Sequence, residues 1–90
     1  MLTAHLGHVV DADGEPVPEA TIVIIESSVP MPEIALRADE DGRFMVRLPR
    51  GRFTLRAHDQ DGESGETELE IEEEETEFVV VIGRGEETAT

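Results

Sequence analysis

The sequence predicts an all-β domain, a seven-stranded antiparallel β-sandwich, on three observations. Apolar residues recur at every second position over short stretches, as in Phe44, Val46 and Leu48 and again in Phe53, Leu55 and Ala57. Turns bearing glycine or proline interrupt those stretches about every ten residues, the spacing of a sandwich or barrel. No stretch shows the apolar spacing of an amphipathic helix.

The first strand is predicted over residues 6–11, with Leu6, His8 and Val10 on one face and Gly7 and Val9 on the other. Asp11-Ala12-Asp13-Gly14 turns it, and Pro16 and Pro18 delay re-entry because proline cannot donate to a ladder. Residues 20–26 form a second strand, continuously apolar through Ile22, Val23, Ile24 and Ile25, which predicts cover on both faces. Residues 27–32 are a loop, and residues 33–39 a third strand with Ile34, Leu36 and Ala38 inward. Residues 39–57 organise the chain. An acidic turn ending at Gly42 launches a strand through Phe44, Val46 and Leu48, Pro49-Arg50-Gly51 reads as a hairpin turn, and Phe53, Leu55 and Ala57 return toward the same core. Residues 66–72 alternate Leu69 and Ile71 with glutamate, a solvated face, and Glu72 to Glu75 mark a turn before the apolar last strand, residues 78–82.

Ninety residues make one domain, predicted over residues 1–83 with a polar tail at 84–90. Such a fold buries roughly two-thirds of the surface of its unfolded chain, and without cysteine neither disulfides nor thiolate metal sites supplement that core. With 22 acidic against 7 basic residues, the net charge of −15 repels phosphates and anionic lipid, which excludes nucleic acid and membrane as partners. No basic leader followed by an apolar run opens the chain and no apolar run approaches membrane length, so a cytoplasmic location is the default expectation.

Gly7, Val9, Asp11, Gly14, Pro16, Val17, Ala20, Ile22 and Ile24, with Asp41-Gly42, Phe44, Val46, Leu48-Pro49, Gly51, Phe53 and Leu55, resemble the carboxypeptidase regulatory-like domain of the transthyretin-like (prealbumin-like) superfamily. The resemblance implies a seven-stranded sandwich acting as a non-catalytic accessory module in protein–protein interaction or assembly. Glu19, where a small residue is common, and Phe53, where tyrosine is common, are departures that leave the fold intact. His8-Val9-Val10-Asp11 and Asp41-Gly42-Arg43 are also similar to segments of 5-hydroxyisourate hydrolase, which has this fold and uses histidine and arginine in its site. Its C-terminal Tyr-Arg-Gly-Ser signature is missing, and the chain holds no tyrosine. His8 therefore reads as a strand residue and Arg43 as a turn-flanking cation, with no catalytic residue assigned. His5 and His58 lack a second ligand at metal-site spacing and read as solvent-facing.

The motif D-x-D-G occurs at Asp11, Asp39 and Asp59, and its copies contain all six aspartates. Strands running up and down in sequence would bring the three turns to one pole. Asp11, Asp13, Asp39, Asp41, Asp59 and Asp61 are then candidate Ca²⁺ ligands, the alternative function being a Ca²⁺-stabilised structural domain. Against this, Asp forms Asx-turns, Gly supplies positive φ, and no copy completes a full calcium loop, so no cofactor is assigned. Arg47, Arg52 and Arg56 point outward, and pairing of the fifth and sixth strands would set Arg52 and Arg56 against Glu66, Glu68 and Glu70. Val23, Ile25, Val79 and Val81 are directed away from the core and are expected to form one patch on two neighbouring strands, the interface for a protein partner or a homo-oligomer.

Overall fold

The structure is a computed structural model that describes residues 2–32 and 34–83. Glu33, placed in the third strand, and the tail at 84–90 lie outside the described residues. The strands are β1 (Thr3–Asp11), β2 (Thr21–Ser27), β3 (Ala35–Arg37), β4 (Arg43–Leu48), β5 (Gly51–His58), β6 (Ser64–Ile71) and β7 (Thr76–Ile82). They form a three-stranded sheet in the order β4-β1-β7 and a four-stranded sheet in the order β3-β2-β5-β6. Strand number and sandwich architecture agree with the sequence reading.

Alternation decides the inward faces. Phe44, Val46 and Leu48 of β4 are buried, as are Phe53, Leu55 and Ala57 of β5, Ile22 of β2, and Val80 and Ile82 of β7. Leu36 packs against this core and Ala38 is buried just past β3, which is shorter than predicted.

Two expectations about pairing are corrected. β4 and β5 do not form a hairpin: β4 pairs with β1, from Thr3 opposite Leu48 to His8 opposite Arg43, while β5 lies between β2 and β6. Pro49 and Arg50 carry the chain from one sheet to the other across the roughly 10 Å between packed sheets, a span within reach of about three extended residues. The two strands face one core from opposite sides. Nor is every pairing antiparallel, because β1 and β7 run parallel, from His5 opposite Thr76 to Asp11 opposite Ile82. Strands that alternate in direction give β1 and β7 the same sense, so their pairing must be parallel.

The expected cover on both faces of β2 is partial within the described chain, for Val23 is half-buried and Ile25 exposed, and on β7 Val79 and Val81 are exposed.

Two aromatic rings meet over a glycine. Phe44 and Phe78 are both register partners of Gly7, and their rings contact edge to face with centroids 5.6 Å apart. A methyl group at Gly7 would overlap the Phe44 ring, so the contact depends on that residue having no side chain.

His5 is not solvent-facing: it is buried, on the inner face of β1 with Gly7 and Val9. Its parity with those residues was the signal available in the sequence. Nδ1 accepts the backbone N–H of Thr76 at 3.3 Å and lies 2.9 Å from the Thr76 hydroxyl, which places the ring proton on Nε2, 2.7 Å from Thr3 Oγ1. The neutral ring thus joins the start of β1 to the start of β7. Burial lowers its pKa from the ordinary 6.5, opposed by the charge of Glu75. With the folded pKa below the unfolded one, the stability it contributes is complete above pH 6.5 and is lost as pH falls toward and through the folded value. Chemical denaturation between neutral and mildly acidic pH should show a steeper loss in the parent than in His5→Gln. Parallel pH profiles for the two would refute the assignment.

Candidate binding surface

The outer face of the β4-β1-β7 sheet carries four of the five exposed large apolar side chains on the described strands, the fifth being Ile25 on β2. Met45 on β4 is 57% exposed, Leu6 on β1 36%, and Val79 and Val81 on β7 52% and 51%. Register places them in adjoining rows. Leu6 lies between Met45 and Glu77, His8 between Arg43 and Val79, and Val10 beside Val81. Ala4 lies opposite Arg47 in the row before Leu6.

The outer face of the other sheet has a different chemistry. Arg56 faces Glu66, Thr54 faces Glu68 and Arg52 faces Glu70, as pairing of β5 with β6 required. The Arg56 guanidinium donates twice to Glu66 Oε2, from Nε at 3.1 Å and from Nη2 at 2.6 Å. Both side chains are nearly half exposed, so the pair contributes about 0.2–1 kcal/mol. His58, half-buried, lies between Thr21 and Ser64 on this face.

This division corrects the expected interface. Val23, Ile25, Val79 and Val81 do alternate away from the core, but β2 and β7 belong to different sheets. Val23 and Ile25 therefore sit on one outer face of the sandwich and Val79 and Val81 on the other. The residues that complete the patch with Val79 and Val81 are Leu6 and Met45, which sequence reasoning missed. Their parity was legible, and their pairing partners were not.

The three D-x-D-G turns share one conformation. In each, the first aspartate's Oδ1 accepts the backbone N–H groups two and four residues on, at 2.8 to 3.0 Å. Gly14, Gly42 and Gly62 have φ of 85°, 76° and 91°, the left-handed region that an L-residue with a side chain enters at a cost. The N–H groups of Arg43 and then Asp41 hold the Asp39 carboxyl below its ordinary pKa. Strand registers bring the end of β1, the start of β4, the end of β5 and the start of β6 to one pole, so the turns share it as expected. Asp11, Asp39 and Asp59 spend Oδ1 on their own backbones, while Asp13, Asp41 and Asp61 occupy the turn tips. Among the described residues, no three His, Cys, Asp or Glu side chains group so as to hold a metal ion. CaCl₂ and NaCl at equal ionic strength should therefore raise the melting temperature equally by screening. A larger rise with CaCl₂ would indicate a native-state cation site.

His8 and Arg43 are register neighbours on the apolar face, so the structure does bring the two hydrolase-like residues together. The His8 Nε2 lies 3.1 Å from the Asp41 carbonyl oxygen, an acceptor, and so serves there as a donor. Among the described residues, no buried side-chain nitrogen or oxygen lacks a hydrogen-bond partner, and no helix is long and apolar enough to cross a membrane.

The family model of the carboxypeptidase regulatory-like domain matches residues 6–82, from the second exposed row of β1 to the end of β7. The chain belongs to this family. It is thereby a domain of the transthyretin-like superfamily, as its turns and core positions implied. A comparison with curated proteins returned no match. Within this carboxypeptidase regulatory-like domain, the matched span holds all four exposed apolar residues of the β4-β1-β7 face.

Proposed function

We propose that this domain is a non-catalytic β-sandwich module that binds protein through the outer face of its β4-β1-β7 sheet. The observation that carries the reading is the adjacency of Leu6, Met45, Val79 and Val81 on three hydrogen-bonded strands. Apolar surface gathered into one area favours association, because covering it releases ordered water at about 25 cal/mol per Å² of apolar area. On the opposite face Val23 and Ile25 adjoin the arginines of β5 and the glutamates of β6, which are well hydrated and gain little from being covered. Lack of catalysis is supported by membership of the carboxypeptidase regulatory-like family, which is non-catalytic in general.

The test replaces Val79 and Val81 together by Thr, which keeps β-propensity and leaves the inward Phe78, Val80 and Ile82 in place. Solution mass and capture of proteins from the source cell are compared with the parent. Loss of an association with the melting temperature preserved supports the reading. A double variant that keeps the parent's mass and every captured protein would refute it.

A further inference from the structure

We infer that the occupant of this face is a second copy of the same chain, packed about a two-fold axis that lies between the two faces and parallel to the strands. The inference rests on the reading of this face as a protein-binding surface and names the partner. It is carried by the distribution of charge around the patch. On the β4 flank the outward residues are Arg43, Met45 and Arg47. On the β7 flank they are Glu77, Val79 and Val81, with Glu75 just before the strand. The charges of the β4 flank are basic and sit on either side of Met45, those of the β7 flank are acidic and precede Val79 and Val81, and Leu6 and His8 of β1 lie between the two strands.

An isologous interface needs that arrangement, since each surface must complement itself after the two-fold rotation. An axis parallel to the strands exchanges left for right and preserves position along the strand. It sets β4 of each copy over β7 of the other and β1 over β1. Glu77 and Met45 share the row of Leu6, so Met45 of one copy comes over Glu77 of the other with Arg43 and Arg47 on either side of that carboxylate, and the Arg43 stem comes over Val79. Arg47 also comes over the level of Glu75, because His5 is level with Thr76 and Ala4 with Arg47. Leu6 of the two copies meets at the axis. Because point symmetry admits no sliding along a two-fold axis, these rows are not adjustable. An axis perpendicular to the strands would instead set β4 on β4 and oppose arginine to arginine, so the charges select the first geometry.

Three strands at about 4.8 Å spacing and some eight residues at about 3.3 Å rise offer about 400 Å² per copy. The total of about 800 Å² is below the roughly 1,200 Å² at which stable specific complexes begin, which makes the dimer weak and concentration-dependent. The net charge of −15 on each copy opposes it further at low ionic strength and is screened beyond about 8 Å at 0.15 M salt.

Sedimentation at physiological salt, over protein concentrations from about 10 µM to about 1 mM, reads the equilibrium. Two exchanges test the geometry: Arg43→Glu with Arg47→Glu, and Glu75→Arg with Glu77→Arg. All four side chains are exposed, so neither exchange touches the core. Each variant alone should sediment as a monomer, because β4 and β7 would then carry like charge. An equimolar mixture should form a mixed dimer at least about tenfold tighter than either variant's self-association, since both flanks are complementary again. A parent monomeric across the range, or a mixture no tighter than its components, overturns the inference. If the parent is monomeric while Val79→Thr with Val81→Thr loses a captured protein, the second copy is excluded and the binding face stands. If neither measurement responds to that double variant, both readings fall.

Discussion

Replacing Phe53 by alanine is expected to lower stability by about 3–5 kcal/mol, the range for deleting a fully buried ring. Phe53 is on β5, the strand held on both sides within the four-stranded sheet, level with Ser27 of β2 and Leu69 of β6. Only 2% of its surface is exposed, and it is among the largest fully buried side chains. Beneath it lies the opposite sheet, whose β4 supplies Phe44, Val46 and Leu48 to the same core. Because β5 pairs on both sides, its backbone cannot move into the cavity without breaking ladders. Domains of this size hold about 5–15 kcal/mol in total, and this one has no disulfide to limit its unfolded state. The melting temperature should fall by roughly 12–40 °C. A variant that melted cooperatively within a few degrees of the parent would remove Phe53 from the core.

Gly65→Ala is expected to cost about 3 kcal/mol, the upper end for overpacking, through a contact between sheets. Gly65 sits on β6 opposite Ala57 of β5, at the end where Ser64 and Gly83 form an isolated bridge between β6 and the end of β7. A methyl group there would overlap the Val81 carbonyl oxygen and press on the Ile82 Cα. Both are backbone atoms, which no rotamer change can move. Relief requires β6 and β7 to separate, opening the sandwich at that side. Gly7 makes the contrast, since its obstacles are the far ends of the Phe44 and Phe78 rings, which can tilt. Denaturant unfolding of Gly65→Ala beside Glu68→Ala, an exposed outward residue of the same strand opposite Thr54 and expected to stay within about 0.5 kcal/mol, gives the comparison. Equal midpoints for the two would show that the strands do not approach so closely there.

Much of this fold was legible in the residues because its signals are local. Side chains in a strand alternate faces, so the spacing of Phe44, Val46 and Leu48, or of Leu69 and Ile71, reports an inward face whatever strand lies alongside. The D-x-D-G turns were legible for the same reason, since each is closed by hydrogen bonds within five residues of the first aspartate. The matches that identified the family are of these two kinds, turn formers and inward positions.

Pairing was not legible, because it is made by residues far apart in the chain. Phe44 and Phe53 alternate identically whether their strands share a ladder or oppose one another across the core, so Pro49-Arg50-Gly51 reads equally as a hairpin turn or as a passage between sheets. The same ambiguity joined Val23 and Ile25 to Val79 and Val81 as one patch, when topology puts them on opposite faces. His5 appeared solvated until Thr3 and Thr76, the latter 71 residues away, supplied both ring nitrogens with partners. The candidate surface is of this second kind. Composition reports an acidic chain, and alternation reports which side chains leave the core. That Leu6, Met45, Val79 and Val81 share one face, with arginine on one edge strand and glutamate on the other, follows from β1 being placed between β4 and β7, which is settled by long-range hydrogen bonds.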